Sequence, residues 1–81
     1  MTLKETIIYR IHELFDSRGL NASSLATLSG IDASTIYSIL GGTKSKSPEV
    51  STIKKICDGL EITLGEFFST PEFDSLEQEI K

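Results

Sequence analysis

The stretch LATLSGIDASTIYSILGG, Leu25 to Gly42, crowds hydroxyl groups into a short span, with Asp32 as its only charge. Serine and threonine hydroxyls and a tyrosine phenol both donate and accept hydrogen bonds. Nothing beside them turns that capacity into bond-making. A nucleophilic hydroxyl needs a base within hydrogen-bond reach and a third group to orient that base. His12 is the single histidine, set between Ile11 and Glu13, and with Asp16 and Ser17 it makes no triad. Gly41-Gly42 is not followed by the Lys-Ser/Thr helix start of a phosphate-cradling loop. Cys57 is the single cysteine, which excludes an internal disulfide and a cysteine-based zinc site. His12 has no partner at metal-ligand spacing. The expectation is therefore a chain that is not an enzyme, with no cofactor, no metal and no evident small-molecule effector. Its hydroxyls recognise rather than react.

Recognition needs rigid elements to hold those groups. The 81 residues suffice for one domain with one modest core. No apolar run reaches the ~18 residues of a membrane span, and Met1-Thr2-Leu3-Lys4-Glu5 lacks a signal-peptide layout. The expected location is cytoplasmic, with no membrane partner. Thr2 and Glu5 have capping-box spacing, and Ile7, Ile8, Ile11, Leu14 and Phe15 repeat at helical period. These predict a first helix over Leu3–Asp16, stopped by Gly19. Asn21 caps a second helix, Ala22–Ser29, which buries Leu25, Ala26 and Leu28. Asp32 caps a third, Ala33–Leu40, which buries Ile36 and Ile39. Pro48 starts a fourth, to Leu60, with Val50, Ile53, Ile56, Cys57 and Leu60 on one stripe. Thr63 and Glu66 form a second capping box ahead of a short fifth helix, Leu64–Phe68, with Ile62 stapling onto Phe67. Phe73, Leu76 and Ile80 then follow Pro71 at i, i+3 and i+7 of an amphipathic tail. The pattern contains no period-2 run. The predicted class is all-α, with a domain over residues 1–70 and a tail over 71–81.

Two helices that cross steeply near a tight turn need a small residue in the first, a strain-free turn residue and an aliphatic in the second. Ala26, Gly30 and Ile36 stand at the fifth, ninth and fifteenth positions counted from Ala22. That is the frame of a helix-turn-helix. With Ile36, Ile39 and Leu40 turned inward, the third helix presents Ala33, Ser34, Tyr37 and Ser38 outward, with Thr35 on the flank. Charge is divided along the chain: residues 1–20 are neutral, 21–56 carry +2 and 57–81 carry −6.

From about Tyr9 to Phe68 the sequence resembles the Cro/C1-type (XRE-like) helix-turn-helix family. The resemblance rests on SLATLSGIDASTIYSILGG, a basic loop ending in Pro48, and TIKKICDGLEITLGEFF. It implies a five-helix, lambda-repressor-like bundle that binds operator DNA, commonly as a dimer on a palindrome. The third helix would enter the major groove. By resemblance, Ala33, Ser34, Tyr37 and Ser38 match the base-reading places. These places often hold Gln, Asn or Arg; here they offer a methyl, hydroxyls and a phenol. Phosphate contacts are expected from Asn21 and Ser23 at the start of the second helix. Arg18, Thr35, and Thr43, Lys44 and Lys46 of the basic loop are expected to add to them.

The expected function is a sequence-specific transcriptional regulator, a repressor on a palindromic operator, with double-stranded DNA as partner. A homodimer is expected through Phe68, Phe73, Leu76 and Ile80. The alternative for that tail is to fold back on the first helix. The alternative for the whole chain is a protein-interaction module that keeps the fold and uses Tyr37 and the tail on a protein.

Overall fold

Thr2 sets the start of the first helix by two reciprocal bonds. Its hydroxyl accepts from the Glu5 N–H (3.1 Å), and its own N–H donates to the Glu5 carboxylate (2.8 Å). The Thr2 N–H, and then the Thr2 hydroxyl, hold the Glu5 carboxyl below its usual pKa. The computed structural model describes residues 1–41 and 47–80. In it α1 spans Leu3–Arg18, two residues beyond the predicted end. Gly19 stops it, as the sequence predicts: its φ of +65° turns the chain so that the Leu20 N–H, like its own, reaches the Phe15 carbonyl (3.0 Å).

Helix α2 (Ala22–Ser29) begins where Asn21 Oδ1 accepts from the Ser24 N–H at 2.9 Å. It ends at Gly30 with φ +70°. Helix α3 (Ala33–Gly41) follows, with the Asp32 carbonyl accepting from Thr35 and Ile36. Helix α4 spans Val50–Leu60 and starts after Pro48 rather than on it. Its buried stripe opens at Ile53. Val50, at the first position of the helix, is 66% exposed instead of joining the stripe. Helix α5 (Leu64–Phe68) has the expected box, Thr63 with Glu66, and both Ile62 and Phe67 beside it are buried.

The amphipathic tail is helical for one turn only, α6 (Pro71–Asp74). At its end the Pro71 carbonyl accepts from both the Ser75 N–H (3.0 Å) and the Ser75 hydroxyl (2.9 Å). Residues 76–80 run on without helix. Every regular element among the described residues is a helix, as the sequence pattern predicts.

Packing places α2 against both α3 and α4, α5 against α4, and α6 against α1. Ile7, Ile11, Leu25, Ile36, Ile53, Ile56, Cys57 and Phe67 are almost wholly buried where they meet. Two arginines of α1 tie this core to the later helices. Arg10 donates from Nε to the Phe67 carbonyl (2.8 Å) and from a terminal nitrogen to the Glu66 carbonyl (2.9 Å). Its remaining arm meets Glu13 at 2.8 Å. Arg18 donates to the Leu60 carbonyl at 2.7 Å. These bonds satisfy carbonyls at helix ends that have no partner inside their own helix.

Candidate nucleic-acid interface

The α2–turn–α3 unit is built on small contacts. Ala26 is buried at the middle of α2, where a larger side chain would push α3 away. Gly30 takes the left-handed conformation that turns the chain, and open space surrounds it. Ile36 is 2% exposed and is the only α3 side chain in the fully buried class. Ile39 and Leu40 add partial burial on the same side.

That anchoring fixes what α3 shows to solvent. Ala33, Ser34 and Tyr37 are exposed, and Tyr37 keeps 58% of its surface. Thr35 and Ser38 are half-buried. A phenol exposed on a helix of otherwise small polar residues is an amphipathic contact group. The outer face carries no ionisable group apart from that phenol, and Asp32 just before it is exposed.

At the start of α2, Asn21 and Ser23 are both exposed. The Asn21 carbonyl oxygen also takes a bond from the Ser24 hydroxyl at 3.1 Å. Those two bonds fix the side chain, and the group Asn21 has for an anion is its amide nitrogen, its only side-chain donor. Arg18 spends one donor on the Leu60 carbonyl, so its role in the fold comes first. Thr43, Lys44 and Lys46 lie outside the described residues.

Leu28 does not join the core and is 51% exposed. The face α2 buries is Ala22, Leu25, Ala26 and Ser29, and Leu28 sits about 110° off its centre at 100° per residue. A feature the sequence pattern does not flag lies just beneath. A Cβ on Gly59 would stand 2.8 Å from the Leu28 carbonyl carbon and 2.9 Å from Ser29 Cα. The α2 backbone thus rests directly on α4. A glycine inside a predicted helix was the available signal.

The tail residues divide. Phe68 and Phe73 pack partly into the core, and their rings meet edge-on at 4.9 Å, with Phe67 also 4.9 Å from Phe68. Phe73 thus packs on the α5 rings, and α6 as an element lies against α1. Leu76 is half-buried and Ile80 is 89% exposed. Burial pushes the Cys57 thiol pKa up, with Asp58 adding to it, which keeps the thiol protonated. Among the described residues no cluster of three or more potential metal ligands occurs, and no helix is long and apolar enough to cross a membrane.

Comparison with known proteins bears on this arrangement. The profile of the Cro/C1-type HTH DNA-binding domain matches residues 10–72. Among solved structures, the crystal structure of the prophage Lp1 protein 11 is similar, with a TM-score of 0.79 and 28% identity. The alignment covers 94% of this chain and 100% of that one. No curated protein sequence matches.

Proposed function

The chain belongs to the Cro/C1-type helix-turn-helix DNA-binding family, and we propose that it is a repressor that reads a palindromic operator with α3 in the major groove. It is a DNA-binding regulator by family; the operator symmetry and the sign of regulation are our reading. The observation that carries it is the presentation of Ala33, Ser34 and Tyr37 on a helix locked by buried Ile36 across the Gly30 turn.

In this reading Ala33, Ser34, Tyr37 and Ser38 meet base edges. Ala33 and the Thr35 methyl suit a thymine methyl, and the serine hydroxyls bond either donors or acceptors. No side chain among them makes a bidentate bond to adenine or guanine. Each such pair forgone gives up about 1–3 kcal/mol of discrimination. DNA shape and bridging water then carry a larger share of the specificity. Asn21, Ser23 and the first N–H groups of α2 hold a phosphate, and Lys44 and Lys46 supply the charge that their stretch of sequence offers. Two copies sit on the two half-sites. Phe68 and Phe73 are partly engaged in their own core, which leaves less of the tail for a contact between the two copies.

Selection of bound duplexes from a random pool at moderate salt tests the reading, with light scattering on the free protein. The expected result is an enriched palindrome with half-sites about one helical turn apart. A folded chain that enriches nothing at low salt would overturn it in favour of the protein-interaction module.

A further inference from the structure

The acidic third of the chain does not simply cover itself with water. Residues 76–80 pass the start of α1 and leave a cleft of about 720 Å³. Met1, Leu3 and Leu76 give it apolar walls, and Glu72, Glu77 and Glu79 stand among its lining residues. A second cleft of about 580 Å³ lies beside it, sharing Thr2, Leu3 and Glu79 and adding Lys4, Glu5, Ile8 and Ser47. The first cleft is the groove of interest: its walls are apolar, and its three carboxylates outnumber the single cationic group that its lining residues offer, the amino terminus of Met1. Met1 is 71% and Leu3 37% exposed. No residue lining the first cleft belongs to α2, α3 or the stretch 43–47, so that groove is separate from the groups proposed to touch DNA.

We propose that this groove docks a basic segment of a protein partner, with an aliphatic side chain seated against Leu3 and Leu76 and flanking Lys or Arg on Glu77 and Glu79. Charge decides between occupants. A second copy joined through this face by a two-fold axis would set each patch against its own counterpart. Glu72, Glu77 and Glu79 would then oppose like charges, which costs affinity and suppresses that pairing. A cationic segment meets the same carboxylates with opposite sign and gains the steering that complementary charge provides. The apolar walls supply what a purely ionic contact lacks, because exposed ion pairs alone add little. The tail thus serves a partner of opposite charge rather than self-association.

The test is to pan a library of random linear peptides against the whole chain and measure the enriched peptides by nitrogen-15 NMR titration. The expected peptides carry two or more Lys or Arg around a Leu, Ile or Phe, and shift the amides of Leu3, Leu76, Glu77 and Glu79. The paired change Glu77→Gln and Glu79→Gln, at exposed sites, is expected to weaken them about three- to tenfold while the spectrum stays folded. Leu76→Ser is expected to weaken them with the carboxylates intact. Enrichment of neutral or acidic peptides, shifts confined to α3, indifference to both changes, or no enrichment would each overturn the proposal. So would a dimer in light scattering that Leu76→Ser dissolves. These outcomes do not depend on DNA binding, so a failure here is distinct from a failure of the repressor reading.

Discussion

Helices α3 and α4 are of similar length and both amphipathic, yet they are held for different ends. Four side chains anchor α4: Ile53, Ile56, Cys57 and Leu60, none more than 3% exposed. Helix α3 has one such anchor, Ile36, and leaves Ala33, Ser34 and Tyr37 outside. Stability of this chain therefore resides around α4, and presentation resides in α3. A helix with so little buried surface persists because α2, the Gly30 turn and α4 behind α2 hold it in place. Its outer face is free to be chosen for a partner rather than for folding.

Four substitutions break or sharpen that contrast. Phe67→Ala removes a fully buried ring from the α4 side and is expected to lose about 3–5 kcal/mol in urea unfolding. That is a large part of the total for a small domain. Gly59→Ala sets two effects against each other. Alanine gains about 0.5–1 kcal/mol over glycine inside a helix. Its Cβ meets the α2 backbone at 2.8 Å, and such overpacking costs about 1–3 kcal/mol. A net loss of stability is expected, and a gain would show that α2 rides less closely on α4. Glu61→Gly works in the opposite direction. Glu61 ends α4 with φ +58°, a conformation that costs a side-chain-bearing residue about 1 kcal/mol. The variant is expected to be more stable by about that amount, read as a raised melting temperature. Tyr37→Ala is expected to move stability by less than about 0.5 kcal/mol. It is nevertheless expected to reduce affinity for a selected duplex severalfold, as measured by fluorescence anisotropy.

Local signals carried most of the fold. Thr2 with Glu5, Asn21, Gly30, and Thr63 with Glu66 each satisfy helix ends within a few residues, so their roles are visible in sequence spacing. The contacts of Arg10 with the Glu66 and Phe67 carbonyls join residues 56 and 57 positions apart, which no periodicity displays. Gly59 is similar, since its meaning lies in which backbone lies above it. Leu28 and Val50 are exposed against expectation: Leu28 lies off the face that α2 buries, while Val50 keeps the helical spacing but precedes the first buried residue of α4. The tail is helical only over Pro71–Asp74, although Phe73, Leu76 and Ile80 keep helical spacing: Ile80 is 89% exposed, so a longer helix finds no buried face at its far end. For the interface, the frame of Ala26, Gly30 and Ile36 was legible because it depends on size and spacing. Which groups touch a duplex depends on a partner and is not written in the helix pattern.

The most direct test of the account is a nitrogen-15 NMR titration with a duplex of about 20 base pairs at low salt. The account predicts that amide shifts concentrate on residues 33–38 and on Asn21 to Ser24, while α5, α6 and residues 76–80 stay still. Shifts on the Leu3–Leu76 groove with α3 silent would contradict it, and would assign the exposed face of α3 to something other than DNA.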